Sequence, residues 1–195
     1  MFTGIISDIG RVRSTANGGA RIEIEAPSRS GFSEGASVAC SGVCLTVTEH
    51  GAGWFAADVS AETLGCTTVA TWAEGTAVNI ERPLKAGDEM GGHMVLGHID
   101  GVGAISARSL DGDSVGLTIE APAGIMRFIA AKGSVALDGI SLTVTQADAV
   151  RFGVNIIPLT QQATTLGKAE VGNQVNLEID PIARYAAKMA GTGAT

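Results

Sequence analysis

Basic residues are scarce in this chain. Lysine and arginine together number 13 in 195 residues, against 20 aspartate and glutamate residues, which gives a formal net charge of −7. No stretch of the sequence gathers the lysines and arginines into a basic patch. Because binding to nucleic acid or to an anionic membrane depends on such a patch, we expect neither kind of partner.

Long apolar runs are absent as well. A membrane-spanning helix needs about 20 consecutive apolar residues, and no segment of this chain approaches that length. The first eight residues lack the basic start of a signal peptide and reach an acid at Asp8. The three cysteines are odd in number and have no secretory context, which favours reduced thiols in a cytoplasmic protein.

Aromatic residues make up only 4% of the chain, and proline occurs only five times. Glycine, in contrast, occurs 27 times. The hydrophobic residues, 45% of the total, are therefore mostly alanine, valine, isoleucine and leucine. Short β-branched runs separated by glycine are typical of short strands joined by tight turns. A chain of this length fits one large domain or two small ones.

An internal repeat favours two domains. The segment Ser-Val-Ala-Cys-Ser-Gly-Val-Cys-Leu-Thr-Val-Thr at 37–48 returns as Ser-Val-Ala-Leu-Asp-Gly-Ile-Ser-Leu-Thr-Val-Thr at 134–145, with eight of twelve positions identical. From Ser37 to Glu81 the copies align without gaps at an offset of 97 residues. Within the twelve-residue segment the informative differences are the pairs Cys40/Leu137, Ser41/Asp138 and Cys44/Ser141. These polar differences indicate that the copies divide their chemistry.

Each copy is predicted to consist of six short strands. In the first copy these are Gly4–Arg13, Arg21–Glu25, Ser37–Ala39, Leu45–Thr48, Trp54–Val59 and Ala77–Glu81. A helical turn is expected within Ala61–Val69. Six antiparallel strands within about ninety residues hide their edges best in a closed barrel.

A helix is predicted at the C-terminus. Asp180 is suited to the N-cap, Pro181 to the first helical position and Gly191 to the residue after the end. A helix this short must dock on something to be stable. The predicted organisation is an N-terminal barrel at 1–86, a connector at 87–93, a C-terminal barrel at 94–180, and a trimerisation helix with a tail at 181–195.

Taken together, these segments resemble the riboflavin synthase family. The resemblance spans essentially the whole chain. It rests on Met-Phe-Thr-Gly-Ile-Ile at 1–6, Gly-Val-Cys-Leu-Thr-Val-Thr at 42–48, Glu-Arg at 81–82, Gly-Gly-His-Met-Val-Leu-Gly-His-Ile-Asp-Gly at 91–101, Lys-Gly-Ser-Val-Ala-Leu-Asp-Gly-Ile-Ser-Leu-Thr at 132–143, and Asn-Leu-Glu-Ile-Asp at 176–180.

The resemblance implies an all-β fold of two tandem homologous six-stranded Greek-key barrels with a C-terminal helix. It also implies a homotrimer, with each site between the N-terminal barrel of one subunit and the C-terminal barrel of its neighbour. The implied reaction is dismutation of two 6,7-dimethyl-8-ribityllumazine molecules to riboflavin and 5-amino-6-ribitylamino-uracil by four-carbon transfer, without metal or other cofactor. Association with lumazine synthase is a further expectation. A duplicated pocket suits this reaction, because holding both substrates offsets roughly 7–11 kcal/mol of barrier.

The resemblance also implies the site residues. The substrate-binding set of the first copy is Gly4, Ile5, Ile6, Cys44, Leu45, Thr46, Asp58, Val59, Ser60, Ala61, Glu62 and Thr63. That of the second copy is Gly97, His98, Ile99, Lys132, Ser141, Leu142, Thr143, Asn155, Ile156, Ile157, Pro158, Leu159 and Thr160. The catalytic set is Cys44, His98, Asp138, Ser141 and Asp180. The chain departs from the family pattern at Ser41, where asparagine is common, and at Leu159, where a polar residue such as histidine is common.

Five of these residues have structural alternatives as ordinary strand residues. His98 stands where the first copy has Ile5, and we expect it to transfer or orient a proton rather than serve only as a structural strand residue. Cys44 and Ser141 place a thiol and a hydroxyl at one position of the repeat, although a strand cysteine is often simply a small apolar residue. The hydroxyls of Thr46 and Thr143 suit the pteridine edge, and threonine is also a common strand former.

The two acids have alternatives of their own. Asp138 precedes a glycine and is equally suited to a turn, whereas Asp180 is equally suited to capping the helix. No metal site is expected, because His93 and His98 would face opposite sides of a strand and the cysteines lack further ligands nearby. The Gly-Val-Gly at 101–103 lacks the third glycine of a dinucleotide fingerprint.

Two other functions stay open at this point. One is a non-catalytic lumazine- or flavin-binding protein of the same fold, and the other is a flavin-binding barrel of an oxidoreductase. The polar residues of the second copy favour the enzyme over a carrier of one chromophore. The lack of a nicotinamide-binding motif disfavours the oxidoreductase.

Overall fold

The predicted strands of the first copy form a closed antiparallel barrel. The computed structural model describes residues 1–27 and 31–191, so the predicted tail at 192–195 lies outside the described residues. The strands are β1 (Asp8–Ala16), β2 (Arg21–Glu25), β3 (Ser37–Cys40), β4 (Val43–Gly51), β5 (Trp54–Asp58) and β6 (Ala77–Glu81). They follow one another around the barrel in the order β1-β2-β5-β4-β3-β6.

The second copy forms a barrel of the same strand order. Its strands are β7 (Gly101–Asp111), β8 (Ser114–Glu120), β9 (Ser134–Leu137), β10 (Ile140–Ala147), β11 (Arg151–Ile156) and β12 (Gln174–Ile179), in the order β10-β11-β8-β7-β12-β9. The α-helices are α1 (Ala61–Cys66), α2 (Ala123–Met126), α3 (Pro158–Ala163) and α4 (Pro181–Met189). The prediction of two tandem six-stranded barrels with a C-terminal helix is confirmed.

Each barrel has its own apolar interior. In β2, Ile22 and Ile24 are fully buried while their neighbours lie further out, as the alternation of a half-buried strand requires. Phe55 fills the first barrel and Phe152 stands at the equivalent place in the second. Burying side chains of this size contributes about 1.5–3 kcal/mol each.

The segments before the two barrels exchange places, which the strand prediction did not foresee. Strand β1 begins at Asp8 rather than at the predicted Gly4, and the residues before it reach across to the second barrel. Ile6 packs against the core of the second barrel, and Ile99 packs against the core of the first. Between the barrels Phe2 donates a 2.7 Å hydrogen bond to the carbonyl of Val95 and accepts one of 3.1 Å in return.

This exchange also corrects the account of the histidines. His93 and His98 were expected on one strand, but the segment 91–100 has no regular strand, only an isolated bridge at Val95. The alternation of a strand therefore does not determine the directions of these two side chains. Each lies where the connecting segment meets a barrel.

Helix α4 starts as predicted. The Asp180 carboxylate accepts a 2.9 Å hydrogen bond from the nitrogen of Ile182, and Arg184 forms a 2.6 Å ion pair with Asp100 of the second barrel. One face of the helix leaves apolar side chains exposed, namely Ile182, Tyr185 and Met189. Within the described ranges, no helix has the length and apolar character needed to cross a membrane.

Candidate active site

A cavity of about 220 Å³ on the first barrel brings together two of the predicted catalytic residues. Cys44, half-buried on β4, forms one wall with helix α1, and His98 forms the other. Glu62 and Cys66 of α1 add a carboxylate and a second thiol. An imidazole, a carboxylate and a thiol around one open cavity are groups that can bind a polar ligand and move protons.

The position of His98 depends on Gly97. The carbonyl of Gly97 accepts a 3.0 Å hydrogen bond from the nitrogen of Cys44. Gly97 has a φ of +78°, and an added Cβ would stand 2.5 Å from the Cβ of Cys44. Only glycine lets the segment pass this close to β4.

A buried carboxylate fixes the backbone of the segment that contains Gly97 and His98. Glu178 of β12 accepts hydrogen bonds from the nitrogens of Leu96 at 2.6 Å, Gly97 at 2.8 Å and His98 at 3.2 Å. Burial raises the pKa of Glu178 to about 7, although these donors favour the charged form. The backbone at His98 is therefore tied to the second barrel while its side chain faces the first.

The second barrel shows the reciprocal arrangement around Ser141. The carbonyl of Gly4 accepts a 2.9 Å hydrogen bond from the nitrogen of Ser141, and an added Cβ at Gly4 would lie 2.5 Å from the Ser141 Cβ. Glu81 accepts hydrogen bonds from the nitrogen and hydroxyl of Thr3 and from the nitrogen of Gly4. Glu81 and Glu178 therefore have the same role in the two copies, because each accepts hydrogen bonds from the backbone of the segment before its barrel.

Ser141 has a partner that the sequence did not reveal. Its hydroxyl oxygen lies 2.6 Å from Nδ1 of His93, in the connector between the barrels. The other ring nitrogen of His93 is buried and has no hydrogen-bond partner among the described residues. Burial lowers the pKa of His93, and the nearby Asp180 carboxylate partly offsets this effect.

Asp138 lies at a turn between the barrels and not beside Cys44 and His98. Its φ is +44° and its carboxylate accepts a 2.8 Å hydrogen bond from the nitrogen of Asn176. Ser41, with a φ of +43°, accepts one of 3.2 Å from the nitrogen of Asn79 in the first copy. Both side chains therefore stabilise the turns in which they lie. For Asp138 this is the structural alternative that the sequence offered.

The carboxyl of Asp138 is nevertheless unusual. Burial raises its pKa to about 7. It lines a cavity of about 500 Å³ between the barrels, together with Ser41, Thr68 and Thr165. The structure therefore separates Asp138 from the cavity of Cys44 and His98.

The other predicted residues of the first copy fall into three groups. The side chains of Leu45 and Val59 belong to the barrel core. Ser60 caps α1 by accepting a 3.1 Å hydrogen bond from the nitrogen of Thr63. Exposed positions are Ile5, Thr46, Asp58, Ala61 and Glu62.

The second copy has a more apolar rim. Ile156 is fully buried in the core, whereas Ile157, Pro158 and Leu159 are exposed. Leu159 occupies the place that Glu62 has in the first copy, so no carboxylate faces this barrel from α3. Asn155 donates a 2.9 Å hydrogen bond to Asp111. The remaining positions are Lys132 and Thr143, which are exposed, and Leu142 and Thr160, which are half-buried.

Sequence reasoning missed Glu81, Glu178 and His93. The glutamates had a visible signal, because the pattern Val-Asn-apolar-Glu occurs at the same place in both copies and buries a charged residue in a strand. His93 lies in the motif at 91–101 that carries the family resemblance, but it was considered only as a metal ligand. Among the described residues, no group of three or more histidine, cysteine or acidic side chains is arranged to hold a metal ion.

Comparisons with known proteins agree with this duplicated architecture. The family model described as the lumazine binding domain matches the chain twice, at residues 3–83 and 96–180. The chain is 49% identical to a riboflavin synthase of Brucella abortus over 97% of this chain and 98% of the relative. It is 42% identical to that of Mycobacterium bovis, with 97% and 98% covered, and 36% identical to that of Schizosaccharomyces pombe, with 97% and 93% covered.

Solved structures show the same fold at lower sequence identity. A crystal structure of LumP complexed with riboflavin matches with a TM-score of 0.83, and one of LumP complexed with 6,7-dimethyl-8-(1'-D-ribityl) lumazine with 0.80. Both cover 92% of this chain and 99% of the other and are 21% identical to it. At that identity the likeness concerns the fold alone.

Proposed function

The chain belongs to the riboflavin synthase family, and we propose on that basis that it catalyses the synthesis of riboflavin. Two molecules of 6,7-dimethyl-8-ribityllumazine react, and a four-carbon unit passes from one to the other. The products are riboflavin and 5-amino-6-ribitylamino-uracil. The enzyme is thus a transferase, and we expect it to need no metal or redox cofactor.

The observation that carries this proposal is the pair of reciprocal half-sites. Cys44 meets Gly97 on one barrel, and Ser141 meets Gly4 on the other, with the same backbone contact in each. Two related surfaces suit two identical substrates. Because the polar side chains differ between the surfaces, one substrate can act as donor and the other as acceptor.

The proposed roles follow from the chemistry of the substrate. The methyl group at C7 of the lumazine is acidic, since its carbanion delocalises into the ring, so catalysis needs a positioned base and donors to the developing charge. We assign proton transfer or orientation to His98, which is exposed at the first cavity. Cys44 and Ser141 contact the two substrates from equivalent positions of the two barrels.

Asp180 is proposed as an acid of the site with a second, structural duty, whereas Asp138 is proposed to support the site from the cavity between the barrels. Asp180 caps α4 and its charge reaches His93. The carboxylate of Asp138 stabilises the turn before Gly139 by accepting a hydrogen bond from the nitrogen of Asn176. We propose that the rest of the predicted binding set contributes the remaining substrate contacts.

We further propose that the working form is a homotrimer. The exposed apolar face of α4 is one reason, because Ile182, Tyr185 and Met189 are 70%, 66% and 89% exposed in the single chain. Three such helices packed together would remove this surface from water. Each complete site would then join the first barrel of one subunit to the second barrel of the next.

A cytoplasmic location and an association with lumazine synthase complete the proposal. The thiols of Cys40, Cys44 and Cys66 are all free, as a reducing compartment requires. Lumazine synthase makes an obvious partner, since by its name it supplies the substrate. No nucleic-acid or membrane partner is expected of a chain with this negative charge.

The test is to incubate the purified chain with 6,7-dimethyl-8-ribityllumazine and nothing else. Riboflavin absorbance should grow, with two substrate molecules consumed for each product. Lumazine fluorescence that persists without turnover would contradict the proposal and indicate a carrier protein instead.

A further inference from the structure

His93 and Ser141 form a contact that the proposed reaction does not by itself require. The Ser141 hydroxyl and the imidazole Nδ1 are 2.6 Å apart, a short distance for a hydrogen bond between neutral groups. No other side-chain hydrogen bond of Ser141 occurs among the described residues. The histidine thus controls the direction in which the hydroxyl hydrogen points.

The backbone around His93 is held so that this contact persists. The nitrogen of His93 donates a 3.1 Å hydrogen bond to the carbonyl of Thr3, and Thr3 is fixed by Glu81. An added Cβ at Gly92 would stand 2.1 Å from the Thr3 carbonyl and 2.7 Å from the Cβ of Ser141. The connector is therefore pressed against β10 at this point, and only glycine fits.

The hydrogen-bond partners of His93 and Ser141 indicate which tautomer is present. Nε2 of His93 is buried without a partner among the described residues. If Nδ1 carried the hydrogen, the Ser141 hydroxyl would have no acceptor for its own hydrogen among the described residues. With the hydrogen on Nε2, Nδ1 is an acceptor and Ser141 must be the donor.

We propose that His93 is a positioning residue for Ser141, whose hydroxyl hydrogen it accepts at Nδ1. The Ser141 oxygen then keeps its lone pairs for a donor on the substrate. This inference rests on the proposed function, because it assigns a role in the same site. Among the described residues, no histidine forms such a hydrogen bond with Cys44, the counterpart of Ser141, so the copies differ in how their reactive groups are oriented.

Nuclear magnetic resonance of the imidazole nitrogens tests the contact without any turnover. The chain has three histidines, and His50 and His98 are exposed whereas His93 is half-buried. We expect one histidine in the Nε2–H form whose Nδ1 resonance moves in Ser141→Ala. An Nδ1–H form of that histidine, or a resonance that Ser141→Ala leaves in place, would overturn the proposal.

Kinetics test the consequence. His93→Phe keeps a ring but loses the acceptor, and we expect kcat to fall about tenfold with KM changed less than about threefold. His93→Asn places an amide oxygen near the Nδ1 position and should recover most of kcat. In a Ser141→Ala background His93→Phe should have no further effect, because it acts only through Ser141.

His50→Phe is the matched control, since His50 lies exposed on β4 away from both half-sites. If His93→Phe behaves like this control, or if its effect multiplies with that of Ser141→Ala, the positioning role is wrong. If the parent chain forms no riboflavin but the Nδ1 resonance of His93 still moves in Ser141→Ala, the proposed function is wrong. The hydrogen bond between His93 and Ser141 would then still be supported.

Discussion

The amide nitrogen of Cys44 donates a 3.0 Å hydrogen bond to the carbonyl oxygen of Gly97. This bond joins a strand of the first barrel to the segment that leads into the second barrel. It brings the thiol and His98 to the same cavity. Neither half-site is therefore the product of one copy of the repeat, and several measurable consequences depend on this exchange.

Gly97→Ala should destabilise the fold strongly. A φ of +78° disfavours any side chain, and the new methyl would stand 2.5 Å from the Cβ of Cys44. We expect the free energy of unfolding in urea to fall by about 3 kcal/mol or more. Gly112→Ala is the control, because Gly112 has a φ of +59° with nothing within 4 Å, so only the backbone cost of about 1–2 kcal/mol remains. Equal losses in both variants would argue against close packing at Gly97.

Glu178→Gln should loosen the backbone at His98. The carboxylate accepts three amide hydrogens, and an amide group in its place turns a donor toward at least one of them. We expect a loss of about 2–3 kcal/mol in unfolding free energy and a fall in riboflavin formation. Glu120→Gln, at an exposed position of β8, should change neither. Unaltered stability in Glu178→Gln would show that the three hydrogen bonds matter little.

Stability should decrease as the pH rises through about 7. Burial raises the pKa of Asp138 from 3.8 and that of Glu178 from 4.5, each to about 7, so the folded state binds protons that the unfolded state has lost. Stabilisation is thus complete below the unfolded values and disappears above the folded ones. The loss of stability therefore falls mainly between about pH 4.5 and about pH 7, and it levels off above the folded pKa values.

Asp138→Asn isolates one of these two groups. Asparagine tolerates a φ of +44° and still accepts the hydrogen of Asn176, but it does not titrate. Urea unfolding across the same window should therefore show a smaller loss of stability than in the parent chain. An identical slope in Asp138→Asn would mean that Asp138 is already charged in the folded state.

His98→Ala and Ser141→Ala should slow turnover more than they weaken substrate binding. Their proposed roles are exercised in the transition state, so kcat should fall about 100-fold for His98→Ala and about tenfold for Ser141→Ala. Riboflavin absorbance gives kcat, and quenching of lumazine fluorescence gives the binding constant. Unchanged turnover in both variants would remove these assignments and leave the fold untouched.

Tyr185→Asp should disrupt the proposed trimer. A charge in the middle of the apolar face of α4 would have to be buried between helices, at a cost of several kcal/mol. Sedimentation velocity should show a trimer for the parent chain and smaller species for the variant. Leu110→Asp is the control, because Leu110 is 77% exposed at the far end of β7. A parent chain that sediments as a monomer would contradict the trimer directly.

The sequence alone determined the two barrels, because strand formation depends on local patterns. Strands β2 and β6 match their predicted bounds. Burial alternates along β2, whereas β6 is buried from Val78 to Glu81. The start of α4 was equally visible in the Asp-Pro pair. The family resemblance rested on motifs of the same local kind.

Only the tertiary structure decided which copy each functional group serves. The strand pattern of Gly4–Arg13 continues without a break, yet Gly4 bonds to Ser141 of the other barrel and Ile6 packs against that barrel's apolar core. Asp138 was assigned to the site and lies at a turn, and His93 was set aside and contacts Ser141. Contacts between residues far apart in the chain arise from packing and buried hydrogen bonding, and no local pattern of residues records them.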